Sequence, residues 1–159
     1  MKLRPVQPED NDSIIRLIGD IYTEYGFRIC LRDAESDLVD IAKHYQPGSF
    51  MVLVDDTNAV RGTVALVPCS ERKNVSWLKR LYLDSSLRGD GHADRLLAWA
   101  IEKSLDNNRT QIELWSDTEF DRAHSFYKKH GFIHDGTVRH MTDGHDPYDE
   151  YFFSLKIDS

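Results

Sequence analysis

The segment with the clearest chemical content is Arg88-Gly89-Asp90-Gly91-His92-Ala93, which follows the run Leu81-Tyr82-Leu83 and the turn Asp84-Ser85-Ser86. A helix opening there leaves its first backbone N–H groups without intrahelical partners, and its macrodipole places partial positive charge at the same end. Two glycines let that backbone approach a ligand closely, and Arg88 adds a guanidinium. Together these features read as a cradle for a pyrophosphate. The alternative is a helix start whose glycines only turn a corner. The spacing is neither the dinucleotide fingerprint nor a P-loop, since no Gly-Lys-Ser/Thr follows.

Other reactive side chains fit no metal pattern. Cys30 and Cys69 stand in no metal or redox spacing and read as idle thiols of a reducing compartment. His130 and His134 are separated by Gly131, which ends a helix between them, and His140, Asp143, His145 and Asp146 lack zinc-like spacing. Asp117, Glu119 and Asp121 alternate like a calcium loop, but Arg122 stands where the glycine is needed and Lys128 where the closing Glu is needed. No metal is expected.

The charge pattern points to the same region as the cradle. The 159 residues suit one domain, 1–159, with 20 Lys and Arg against 27 Asp and Glu, a net charge of −7. That balance argues against a nucleic-acid partner, which calls for a basic face. Residues 1–70 hold 7 basic and 11 acidic side chains and residues 131–159 hold 2 and 6, whereas 71–130 hold 11 and 10. An anion is therefore expected at the centre of the chain. No apolar run approaches the ~20 residues of a membrane span, and the start MKLRPVQPED carries no apolar leader. The expectation is a cytoplasmic protein without a membrane partner.

The elements that must position the cradle follow from periodicity. Lys2 to Val6 reads as a strand, and Pro8-Glu9-Asp10 starts a helix whose apolar face is Ile14, Leu17, Ile18, Ile21 and Tyr25. A second helix is expected from Ala34 to His44, ended by Pro47-Gly48. Phe50–Val54 and Val60–Val67 form a hairpin across Asp55-Asp56-Thr57-Asn58, and Val75–Leu83 is the next strand. Helices with apolar residues Ala93, Leu96, Leu97, Ala100 and Ile101, then Ala123, Phe126 and Tyr127, flank the strand Gln111–Trp115, and Gly131 closes the second. Thr137–Met141 and Tyr151–Ile157 end the chain as strands. By strict alternation Trp77, Lys79, Leu81 and Leu83 share one face of their strand, and neither face is wholly apolar, which permits a bulge. The order β-α-α-β-β-β-α-β-α-β-β implies an α+β fold, a mixed, mostly antiparallel sheet with helices on its faces.

Arg88-x-x-Gly91-x-Ala93 after Leu78–Leu83 resembles the acyl-CoA pyrophosphate signature of the GNAT N-acetyltransferase superfamily. Ala123-His-Ser-Phe-Tyr127-Lys-Lys-His-Gly131-Phe132 resembles the same family's helix, which presents a tyrosine near the CoA sulfur. The element order agrees over nearly the whole chain. The resemblance implies direct acetyl transfer from acetyl-CoA to an amine, with no covalent intermediate. It places the pantetheine on the backbone of Leu81 and Leu83, the pyrophosphate on the amides of Arg88, Gly89, Asp90, Gly91, His92 and Ala93, and the thioester in a slot opened by a bulge. Asp90 and His92 depart from the usual pattern, and Asp90 would repel a phosphate unless it points outward.

In this reading Tyr127 protonates the leaving thiolate, and Glu113, in the strand beside the slot, is the candidate base that takes the amine proton. The strand before the cradle offers Lys79 and Arg80 where relatives often carry a carboxylate. An acidic rim of Glu24, Asp33, Glu35, Asp37, Asp143, Asp146, Asp149 and Glu150 would favour a cationic acceptor amine. The competing reading is a non-catalytic acyl-CoA-binding module, and a homodimer is compatible with either.

Overall fold

A computed structural model describes residues 1–157. Its scaffold is a seven-stranded sheet, ordered β1-β2-β3-β4-β5-β7-β6. The strands are β1 (Lys2–Pro5), β2 (Phe50–Val54), β3 (Val60–Pro68), β4 (Val75–Leu83), β5 (Gln111–Asp117), β6 (Val138–Met141) and β7 (Tyr148–Lys156). Only β4 and β5 pair in parallel; the other neighbours are antiparallel. The helices are α1 (Asn11–Thr23), α2 (Ile41–His44), α3 (His92–Asp106) and α4 (Asp121–Lys129). The mixed, mostly antiparallel α+β arrangement agrees with the element order read from the sequence.

Apolar residues divide between the two faces by strand alternation. On β2, Phe50, Val52 and Val54 pack with Ile14 and Ile18 of α1 and Ile41 of α2, while Leu53 joins Leu96, Leu97 and Ala100 of α3 on the other side. Tyr127 of α4 and Phe153 of β7 complete the second core. The helix expected over 34–44 is instead a 3₁₀ turn at Ser36–Leu38 followed by the four-residue α2. Asn11 accounts for the break: its Nδ2 donates to the carbonyls of Leu38 and Val39, and its Oδ1 accepts the amide of Ile41. A side chain from α1 thus takes hydrogen bonds that a continuous helix would use itself.

Two irregularities in β4 shape the site. Against β3, Ala65 faces Lys79 but Thr63 faces Tyr82, so three steps of β4 are spanned by two of β3. The extra residue is a bulge, marked by Arg80 at φ 53° and tied down by Thr63 Oγ1, which donates to the Arg80 carbonyl at 2.7 Å. The face assignment by strict alternation fails here. Leu81 and Leu83 lie on the α3 side with Leu78, and Tyr82 lies on the α1 side. On the other edge, β4 pairs with β5 only along Val75–Trp77 against Gln111–Glu113. Beyond that point the two strands separate.

Candidate active site

The separation of β4 from β5 opens a continuous cleft of about 1160 Å³. Leu81, Leu83, Arg88, Gly89, Gly91 and Ala93 line it, together with Tyr127 and with Trp77, Lys79, Trp115, Arg139 and Tyr148. Asp90 and His92 do not line it. Asp90 is exposed to solvent, so the repulsion feared from its charge is directed away from the cradle.

The cradle is made of backbone. Gly91 precedes α3 in the left-handed region (φ 81°) and Gly89 lies at φ 89°. Nothing approaches within 4 Å of where a Cβ on either would sit. Among the described residues, the amides of Gly89, Asp90, Gly91, His92 and Ala93 donate to no protein acceptor. Orphan donors at a helix N-terminus beside an arginine fit a pyrophosphate. Arg88 is held by Glu24: Nη1 donates to Oε1 at 3.1 Å and Nη2 to Oε2 at 2.9 Å. The same carboxylate accepts from Arg122 at 3.3 Å, and Arg122 also donates to the Tyr25 hydroxyl.

At the bulge, Arg80 turns its side chain toward α1. Its Nε and Nη2 form a two-pronged pair with Asp37 at 2.9 and 2.7 Å, Nη2 also reaches the Ala34 carbonyl, and Nη1 donates to the Tyr22 hydroxyl at 3.3 Å. Tyr45 donates to the same Asp37 carboxylate, and Tyr22 and Tyr82 share a hydrogen bond. Burial alone would push the Asp37 carboxyl up, but Arg80 and Tyr45 outweigh it and hold the group below the usual carboxylate range. This network joins the 3₁₀ turn, α1 and β4 at the place where the sheet divides.

Tyr127 is 7% exposed, and its ring packs on Phe132 and Phe153. Burial pushes its phenol well above the ordinary tyrosine range, so the proton stays in place. Glu113, expected beside the slot, lies on the paired half of β4 and β5 opposite Trp77 and does not line the cleft. Both of its oxygens accept from Arg72, at 2.7 and 2.8 Å, and Gln111 adds a third hydrogen bond. That carboxylate is occupied as a structural partner, and nothing in its surroundings brings it to an acceptor.

Two other carboxylates do line the cleft while nearly buried, Glu35 and Asp117, and burial pushes both upward. Glu35 was visible in the sequence only as one acid of a rim, and Asp117 only as part of a failed calcium pattern. Neither the Arg80–Asp37 pair nor the Arg139 guanidinium 4.2 Å over the Trp115 ring had a local signal. The two segments that wall this end meet through Ala34 N donating to the Asp143 carbonyl and His145 Nε2 bonded to the Ile29 carbonyl, each at 3.0 Å.

A split sheet whose opening leads to a helix-start amide cradle defines the acyl-CoA-binding architecture expected from the motifs. Residues 12–132 match the acetyltransferase (GNAT) family, and the chain belongs to it. It is 35% identical over 144 residues to the N-acetylaspartate synthetase of Xenopus tropicalis, covering 83% of this chain and 52% of that protein. It is also 35% identical over 108 residues to the human N-acetylaspartate synthetase, covering 66% and 35%. The chain thus spans between a third and about half the length of these relatives. A GNAT acetyltransferase of Staphylococcus aureus Mu50 superposes with a TM-score of 0.82 at 23% identity over 99% of both chains. The yncA protein of Salmonella typhimurium, solved with its cofactor acetyl-CoA, superposes at 0.71 over 100% of this chain and 95% of that one, with 14% identity. No helix among the described residues is long and apolar enough to cross a membrane.

Proposed function

We propose that this chain moves the acetyl group of acetyl-CoA directly to the amine of a small, amino-acid-like acceptor that carries a carboxylate. The observation that carries this reading is one cleft lined both by the amide cradle and by uncompensated positive charge. Gly89, Gly91 and Ala93 of the cradle line it, and so do two cations, Arg28 and Lys79, that have no ion-pair partner among the described residues. A cationic acceptor fits less well than the acid-rich rim suggests. Three of the eight rim acids, Glu24, Asp37 and Glu150, are joined to arginines, which lowers the negative charge the rim offers to a cation. The likeness to N-acetylaspartate synthetases, whose name gives an acidic amino acid as acceptor, supports the same choice.

When bound, acetyl-CoA supplies an activated thioester and a thiolate leaving group. The amides of the cradle and Arg88 hold its phosphates, and the bulged half of β4 presents Leu81 and Leu83 along the slot. The Tyr127 hydroxyl keeps its proton and donates it toward the departing sulfur, whose thiol pKa is about 8.5. Arg28 and Lys79 orient the acceptor carboxylate.

The test combines thermal unfolding with thiol release. Acetyl-CoA, but not ATP, raises Tm, and L-aspartate or L-glutamate then releases free thiol faster than spermidine does. Turnover with spermidine alone restores the cationic acceptor. A Tm rise without turnover on any amine leaves a non-catalytic acyl-CoA-binding module, and no rise removes the cradle reading itself.

A further inference from the structure

The acetyl-transfer reading lacks a base, and the expected one, Glu113, is locked to Arg72. We propose that Glu35, in the segment between α1 and α2, accepts the proton of the acceptor ammonium. The argument rests on the state of each cleft carboxylate. Asp37 is taken by Arg80 and Tyr45, Glu150 by Arg139 and Asp94 by His130, Asp143 accepts from Tyr148, and Asp146 is exposed to solvent. Glu35 is 7% exposed and lines the cleft. Its Oε1 accepts the Cys30 amide at 2.8 Å, which fixes the carboxyl plane. Its Oε2 has no hydrogen-bond partner among the described residues, and it is not sealed from solvent as the unpartnered Ser104 hydroxyl is. An anchored carboxylate that lines a cleft with one oxygen unpartnered is the arrangement a proton acceptor needs.

The surroundings favour the same role. Arg80 and Tyr82 face Glu35 from β4, Tyr22 from α1, Asp143 and Tyr148 from the β6–β7 hairpin, and Asp37 from its own segment. Arg80 and the Cys30 amide favour the anion, whereas burial, Asp37 and Asp143 oppose it, and the opposing effects win, raising the carboxyl above its ordinary value. Arg80 is the bulge residue, and it bonds the carbonyl of Ala34, the neighbour of Glu35, so the candidate base is tied to the point where β4 and β5 part. Asp117 shares the burial, but it accepts the Glu119 amide and sits among Glu119, Asp149 and Glu150 at the far end of β5.

The proton balance is closed without a further reactant. The ammonium gives one proton to Glu35, and the freed nitrogen lone pair forms the C–N bond at the thioester carbonyl. The C–S bond then breaks, the thiolate takes a proton delivered through Tyr127, and the phenol recovers it from the new amide nitrogen. Glu35 returns its proton to water, so the net products are the amide, free thiol and one proton.

The experiment compares wild type, Glu35→Gln and Asp117→Asn by kcat/KM against pH with L-aspartate and the wider amine panel, alongside Tm and acetyl-CoA affinity. Glu35→Gln should lower kcat/KM at least 100-fold, within the usual range for lost base catalysis. Its residual rate should rise in proportion to hydroxide. Its acetyl-CoA affinity should stay within twofold and its Tm should hold or rise, because a buried charge has been removed. A loss under threefold, or transfer of the large loss to Asp117→Asn, overturns the proposal. Carboxyl ¹³C titration of Glu35, assigned with the Gln variant, gives a readout independent of turnover. A midpoint above the ordinary value of about 4.3 supports the proposal, and one at or below it overturns it. If no amine is acetylated, the acetyl-transfer reading falls on its own, and the titration still decides the state of Glu35.

Discussion

Replacing Glu24 by Gln should tighten acetyl-CoA binding, although Glu24 contributes no group to the cleft itself. Its carboxylate holds Arg88 by two hydrogen bonds and Arg122 by one, so an incoming phosphate competes with an anion already in place. Side-chain exposures of 30% for Arg88 and 34% for Glu24 make this a surface pair, whose strength is about 0.2–1 kcal/mol, with two-pronged geometry placing it toward the upper end. Relief of about 1 kcal/mol corresponds to roughly fivefold in affinity. The assay is calorimetric titration with acetyl-CoA at low salt and again near 0.5 M salt, where screening shortens the reach of exposed charges. The gain of Glu24→Gln over wild type should shrink to below about twofold at the higher salt. Unchanged or weaker binding at low salt would refute the competition, and would mean that Glu24 orients Arg88 for the phosphate rather than occupying it.

Arg80→Met should lower stability by about 3–5 kcal/mol because Asp37 is left charged and buried, and Asp37→Leu in the same chain should recover most of that loss, as chemical denaturation can show. Since the folded Asp37 pKa lies below its unfolded value, the pair's contribution is full above the unfolded value and is lost as pH falls through the folded one. Wild type should therefore lose stability below about pH 4 more steeply than Asp37→Asn does. Tyr127→Phe should slow acetyl transfer at least about tenfold with acetyl-CoA affinity nearly unchanged, and equal loss of both in steady-state and binding assays would mark the residue as structural. Gly91→Ala places a Cβ on a left-handed residue, at a cost of about 1–2 kcal/mol or roughly 2–8 °C in Tm, and it should weaken acetyl-CoA binding as well.

The parts of the site legible in the sequence are those set by local backbone demands. Gly89 and Gly91 announce a turn with positive φ, and the unbroken apolar run Phe50–Val54 announces a strand with two buried faces. The residue pattern permits the bulge, and the expectation of one comes from the family resemblance. Leu78 and Leu81 share a side only if one residue between them is extra, and the mixed faces counted by strict alternation were its trace. What stayed hidden depends on partners far along the chain. Asn11 interrupts the segment 34–44 from α1, and Arg72 claims Glu113 across 41 positions. For Glu113 the sequence shows the strand and not the height along it. Where β4 and β5 stop pairing is decided by the sheet as a whole, and no pattern within Gln111–Asp117 records it.

The two loops joined through Ala34 and His145 make the ends of the cleft differ in stiffness. The cradle end is anchored in α3 and β4, so its opening requires disturbing a core. The other end is closed by segments on the outer surface, and separating them requires the loss of two hydrogen bonds named above. Local openings of that kind occur far more often than global unfolding. Hydrogen exchange at Ala34 would therefore run ahead of exchange in β4, and under the proposed transfer reaction a product leaving between these segments would leave the cradle undisturbed.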